Sequence, residues 1–223
     1  MDGAMNVEKQ MADLEAGARE LGISLGKNQL SLFRTYTDKI LDWNRRRNIV
    51  SRKDEGRIAS YHIIDSLSAL SLIPDKTGVR CLDVGSGAGF PGIPLRIVRP
   101  DILLTLAEPR RWRYLFLRNI VETLALENVT LFEDRVEAMP PQDPLYDCIL
   151  VRAVAPLKEV VPVAMPHLSR HGLFVAFKSQ SVAEETSEAA REILSEGGRV
   201  VGTKKIILPI TRRARFFVSI EKS

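Results

Sequence analysis

Three observations place this chain in the α/β class, with an open and mostly parallel sheet behind a helical N-terminal third. The first is the stretch Cys81–Pro94, CLDVGSGAGFPGIP, which reads as a buried strand, a glycine-rich loop and the start of a helix. The second is the regular alternation of apolar strand-like and helix-like segments from Val79 onward, the pattern of a parallel sheet. The third is the helical spacing of apolar residues before that point, with no strand signal.

Val7, Met11, Leu14, Ala18 and Leu21 predict a first helix that Gly22 ends. Leu30, Phe33, Ile40 and Leu41 predict a second over about 28–44, followed by a basic segment through Lys53. Ile58, Ile63, Ile64, Leu67 and Leu70 predict a third over about 55–72. Pro74, Asp75 and Gly78 then turn the chain into the sheet. That connection is too short for a free linker, so residues 1–73 are expected as a cap on a body formed by 74–223, one structural unit.

Strands are expected near 79–84, 103–107, 129–132, 147–151, 173–177, 200–208 and 216–221, seven in all. Helices are expected after Pro91, over 111–126, in broken form over 156–168, and over 182–195. Ligands of such sheets bind outside the carboxyl ends of the strands. The residues falling there are Gly85–Phe90, Glu108, Asp134–Glu137, Arg152 and Lys178, which should form one rim.

The loop after the first strand narrows the ligand. Glycines allow sharp turns and close backbone approach, and a helix start offers free N–H groups. The dinucleotide fingerprint fails because Phe90 stands where its third glycine belongs, and no G-K-[ST] ends a P-loop. An acid before the loop, Asp83, and one ending the second strand, Glu108, suit another ligand, since a carboxylate there can accept both hydroxyls of a ribose. This pattern resembles motif I of S-adenosylmethionine-dependent methyltransferases.

Composition excludes several classes. No apolar run is long enough to span a bilayer, and the N-terminus lacks the order of a signal peptide, so a soluble cytoplasmic protein is expected. Cys81 and Cys148 fall in predicted strands and read as small core residues. The histidines at 62, 167 and 171 are scattered, which argues against a metal site. The net charge is +4, and arginines cluster at Arg45, Arg46 and Arg47, at Arg110, Arg111 and Arg113, and at Arg212, Arg213 and Arg215. Such clusters are the footprint of a phosphate-backbone binder. The first two groups are taken as candidate RNA contacts. At 110–113 the cations open a helix whose dipole they oppose, which suggests a use outside the fold.

Further motifs sharpen the resemblance: Trp43-Asn44 with Asn48, His62-x-x-Asp65-Ser66, Asp83 to Leu95, Glu108 with its basic follow-on, Arg135-Val136-Glu137 and Arg152-Ala-Val154. Together, over nearly the whole chain, they resemble the glucose-inhibited division protein B (RsmG) family of 16S rRNA guanine-N7 methyltransferases. The chain departs from that pattern at Ile49-Val50-Ser51, Tyr61, Pro109 and Ser179.

The resemblance implies a Rossmann-like class I S-adenosylmethionine-dependent methyltransferase fold. It implies S-adenosylmethionine as methyl donor and 16S rRNA or a small ribosomal subunit particle as partner, with a monomer as the default. It places the donor against Asp83, Gly85, Gly87, Gly89 and Phe90, Glu108 on the ribose, Arg135, Val136 and Glu137 beside the adenine, and Arg152 near the methionine end. Arg152, His62 and Lys178 become the catalytic candidates. Guanine N7 carries a free lone pair, so transfer needs no strong base, in keeping with a sequence that lacks a nucleophile–base constellation. Orientation alone can supply roughly 7–11 kcal/mol at best. Two alternatives stay open: a methyltransferase acting on a protein or small molecule, and a donor-binding RNA module without turnover.

Overall fold

The computed structural model describes residues 2–140, 145–179 and 182–223. Seven strands form one sheet: β1 (Arg80–Val84), β2 (Leu103–Ala107), β3 (Val129–Phe132), β4 (Tyr146–Arg152), β5 (Leu168–Lys178), β6 (Gly198–Ile207) and β7 (Ala214–Lys222). Their order is β3-β2-β1-β4-β5-β7-β6. β1 to β5 run parallel, and β7 is antiparallel to both β5 and β6. The order reverses between β1 and β4, which opens a crevice at their carboxyl ends.

Alternation along the strands divides the core in two. Cys81, Leu104, Leu106, Cys148, Leu150, Val175 and Phe177 face one side. Leu82, Val84, Ile149, Val151, Phe174 and Ala176 face the other. Both sides are covered, so the strands read as continuous apolar runs. On the first side lie α1 (Asp2–Glu20), α2 (Lys27–Asn44), α4 (Gly92–Val98) and α5 (Arg111–Thr123), which add Leu14, Phe33, Ile40, Ile93 and Phe116 to the cluster. On the second lie α6 (Leu157–Ala164) and α8 (Ala190–Ser195), through Leu157, Val161 and Ile193. α7 (Val182–Glu188) packs beside them.

Most of the expected elements are present, but residues 52–72 are not one helix. A 3₁₀ turn (Arg52–Arg57), a π turn (Ala59–Ile63), the short α3 (Ile64–Leu67) and a second 3₁₀ turn (Leu70–Leu72) follow one another. The wider π turn brings Ile58 and Ile63, five apart, into the same core. Gln10 of α1, itself buried, accepts the Ala59 N–H at 3.1 Å and donates to Glu55 O at 2.9 Å. The helix expected over 182–195 is likewise split at Ala189 into α7 and α8. No helix among the described residues is long and apolar enough to cross a membrane.

Candidate active site

Hydrogen bonds from backbone N–H groups to two carboxylates fix the loop after β1. Asp83, fully buried, accepts the Gly92 N–H at 2.8 Å and so ties the end of β1 to the start of α4. Burial pushes its carboxyl up to about 7, against the opposing pull of the Gly92 N–H and of Arg152. Glu108 accepts the Gly87 N–H at 2.8 Å through one oxygen and the Arg110 N–H at 2.9 Å through the other. Each oxygen of an ionised carboxylate keeps a second lone pair, so Glu108 can still accept further donors.

The loop is tight where it meets its neighbours. Gly89 has φ 92, and a Cβ there would lie 2.4 Å from Ile93 Cδ1 and 2.9 Å from Tyr36 Oη. The Tyr36 hydroxyl donates to Ala88 O at 2.5 Å, a second tether from the N-terminal helices. Gly85 has φ 69, and its Cβ would meet Val154 Cγ2 at 2.7 Å.

Beside this loop is a cavity of about 400 Å³, lined among others by Gly85, Arg110, Arg135, Val136, Glu137 and Val154. That volume suits a nucleoside-sized ligand. Val154 is 44% exposed at its edge, an apolar surface that a flat base could cover. Buried polar atoms near the loop that lack a hydrogen-bond partner include His62 Nε2, Asp83 Oδ1, Arg113 Nε and Arg152 Nη1. Arg113 Nη1 lies 3.7 Å from where a Gly87 Cβ would sit. A concave apolar wall with unpaired donors beside it fits a nucleoside carrying a polar tail.

Arg152, at the end of β4, projects to the face that carries the N-terminal helices. Its Nε lies 3.0 Å from Asp65 Oδ2, its Nη2 donates to His62 Nδ1 at 2.8 Å, and its guanidinium carbon is 5.5 Å from the centre of the Phe90 ring. His62 stacks on Phe90 at 5.0 Å with 13° between the planes, and its Nε2 lies 3.3 Å from Asp54. Burial, then the Arg152 charge, lowers the His62 pKa to about 4. A ring that accepts from a guanidinium is neutral, so His62 is an aromatic wall and a brace for Arg152. Asp65, with no solvent exposure, also accepts from Arg215 Nε at 2.6 Å and Nη2 at 2.8 Å.

The structure thus gathers Asp83, Gly85, Gly87, Gly89, Phe90, Glu108, Arg152 and His62 around one loop. Val136 is buried at the cavity, with Arg135 and Glu137 exposed at its mouth. Lys178 is on the opposite face of the sheet from Arg152, where it donates to Glu185 at 2.5 Å; the same Glu185 oxygen accepts the Leu157 N–H at 2.8 Å and caps α6. Arg45, Arg46 and Arg47 form an exposed turn after α2. Arg110, Arg111 and Arg113 diverge: Arg110 is exposed at the cavity, Arg111 pairs with Glu133, and Arg113 lies half-buried against Trp112.

Arg215 has a place that the sequence did not assign to it: it shares Asp65 with Arg152. Its signal was an arginine two residues before Phe217, on the same inward face of a strand. Asn44 is structural: its Oδ1 accepts the N–H groups of Ile49 at 2.7 Å and Val50 at 3.0 Å and closes the turn that carries Arg45–Arg47.

This sheet order, with a glycine loop after β1 and an acid after β2, defines a class I S-adenosylmethionine-dependent methyltransferase. Solved structures share the fold: a precorrin-6y C5,15-methyltransferase from Geobacter metallireducens matches with a TM-score of 0.52 at 15% identity, over 79% of this chain and 91% of the other. M. jannaschii TYW2, in complex with AdoMet, matches at 0.57 and 13% identity, over 71% and 77%. A family model described as GidB, rRNA small subunit methyltransferase G, matches residues 29–212. The ribosomal RNA small subunit methyltransferase G of Desulforamulus reducens is 34% identical over 212 residues, covering 94% of this chain and 88% of its own. That of Bacillus subtilis is 33% identical over 221 residues, covering 98% and 91%. The chain belongs to this family of S-adenosylmethionine-dependent methyltransferases of small-subunit rRNA.

Proposed function

We propose that the protein methylates N7 of a guanine in 16S rRNA, and that Arg152 is the residue around which donor and base are aligned. The observation that carries this reading is the state of Arg152: braced by Asp65 and His62, largely covered, and left with a buried, unpartnered Nη1 beside the glycine loop. A guanidinium fixed from two sides and open on a third is a directed donor for a carboxylate or a base edge.

S-adenosylmethionine, when bound, supplies an electrophilic methyl group on its sulfonium. Gly85 and Gly87 let the backbone approach it, Gly89 and Asp83 hold the loop in that shape, and Glu108 has lone pairs for the ribose hydroxyls. Val136, flanked by Arg135 and Glu137, forms the base side of the cavity with Val154. Phe90 and His62 present a stacked aromatic wall. No side chain needs to remove a proton, which suits a site whose histidine is neutral and already hydrogen-bonded. Lys178 acts at one remove, through Glu185 and the start of α6. Residues 1–73 serve as a cap on a body of 74–223, and the protein works as a cytoplasmic monomer on rRNA or on an assembled small subunit.

The test is nucleoside analysis of 16S rRNA from cells with and without the protein. Loss of 7-methylguanosine at one position, restored by the wild type and not by Arg152→Gln, is the expected result. Unchanged 7-methylguanosine would remove the reading.

A further inference from the structure

Tyr61 sits in a charge pattern that methyl transfer itself does not require. Its ring centre is 4.3 Å from the guanidinium carbon of Arg57 and 4.8 Å from that of Arg213. The same ring meets His62 edge-on at 4.9 Å. Arg57 and Arg213 are both exposed. Arg57 is anchored to Asp54 Oδ1 through Nε at 3.0 Å and Nη2 at 2.7 Å. Arg213 has no carboxylate partner among the described residues; its side-chain contact is the Tyr61 ring.

Inward from Tyr61 the pattern continues. His62 leads to Arg152, and Arg152 shares Asp65 with Arg215. The cluster therefore holds four guanidiniums and two carboxylates: Arg57 pairs with Asp54, Arg152 and Arg215 share Asp65, and Arg213 lies on the Tyr61 ring. The cluster keeps an excess of positive charge, and the exposed part of it lies at Arg57 and Arg213. Stacking on an aromatic ring stabilises an exposed guanidinium by roughly 0.5–1 kcal/mol and fixes its plane. It leaves the in-plane N–H groups of Arg213 free, and those of Arg57 Nη1 outside its pair with Asp54, the geometry that receives phosphate oxygens.

Some of the other basic groups are less available: Arg111 is engaged by Glu133 and Arg113 is half-buried. Arg46, Arg47 and Arg110 are exposed without an ion pair among the described residues, but no aromatic ring there fixes the plane of their guanidiniums as Tyr61 does for Arg57 and Arg213. We propose that Arg57 and Arg213, held against Tyr61, bind the phosphodiester backbone of the RNA strand that carries the acceptor base. This rests on the rRNA reading above and adds a direction: RNA enters over the N-terminal-helix face, where Arg152, His62 and Phe90 are, and the donor cavity opens beside Val154.

The full-length protein with Arg57→Gln and Arg213→Gln tests this against unmodified 16S rRNA. Each lost phosphate contact should reduce the slope of log affinity against log salt by about 0.7–0.9. The expected result is a slope smaller by about 1.5, with the rRNA KM raised about tenfold and the affinity for S-adenosylmethionine unchanged. Arg213→Gln alone, which breaks no ion pair, should show about half the loss of slope, and Arg213→Lys should retain most of the wild-type slope. An unchanged slope in both glutamine variants would overturn the surface. So would a slope that falls on Arg45→Gln, Arg46→Gln and Arg47→Gln and not here. Failure of the methyl-transfer reading shows separately, as wild-type protein that binds rRNA and yields no 7-methylguanosine.

Discussion

Asp65 shows how much a single buried group can decide. It has no exposure and accepts from two guanidiniums. Replacing it with Asn would leave Arg152 and Arg215, both largely covered, without that counter-charge, and breaking a fully buried pair in this way costs about 3–5 kcal/mol, an upper bound here. Denaturant unfolding of Asp65→Asn should show a loss of up to that size, together with loss of methyl transfer. His62 and Asp83 make opposite predictions for pH. The His62 pKa is lowered from 6.5 to about 4, so its contribution to stability is present above pH 6.5 and is lost as pH falls toward 4. Asp83 is raised from 3.8 to about 7, so the native state holds its proton longer; that contribution is full below pH 3.8 and is lost as pH rises through 7. Imidazole NMR should find His62 neutral at pH 5.5, and a protonated ring at that pH would remove its role as acceptor from Arg152. The stability of Asp83→Asn relative to wild type should improve as pH rises from about 4 to about 7.

At the scale of elements, the glycine loop is the most constrained piece. Gly89→Ala must force φ 92 onto a side chain and place a Cβ 2.4 Å from Ile93. A left-handed conformation alone costs about 1–2 kcal/mol and overpacking about 1–3 kcal/mol more. Thermal unfolding should show a loss of at least 2 kcal/mol, and the variant should bind S-adenosylmethionine more weakly. The loop and its strand were legible because their signals are local: glycines, flanking apolar runs and a helix start. Residues 52–72 were not, because Ile58, Ile63, Ile64 and Leu67 also fit a regular helix; the π turn depends on Gln10, a distant partner. The face of Lys178 was hidden for a related reason. In a sheet covered on both sides, Phe174 and Ala176 look no different from Val175 and Phe177, so hydrophobicity does not say which way the next residue points. The divergence of Arg110, Arg111 and Arg113 was closer to hand, since residues two apart on a helix do not share a face.

For the whole molecule, one apolar cluster runs from α1 and α2 through α4 and α5 to the sheet. Tyr36 and Asp65 carry the same connection into the site, through Ala88 and Arg152. The N-terminal helices and the sheet should therefore melt in one cooperative transition, and calorimetric and van't Hoff enthalpies should agree. Two separate transitions would show that the cap is an independent unit. The central claim is that the loop after β1 and Arg152 serve one methyl-transfer site whose acceptor is an rRNA guanine. The most direct measurement incubates unmodified 16S rRNA with the protein and S-adenosylmethionine, digests the product to nucleosides and identifies the methylated one by mass. The account predicts 7-methylguanosine in close to one copy per rRNA, abolished by Arg152→Gln. Transfer to another base, or the same yield from Arg152→Gln, would contradict it.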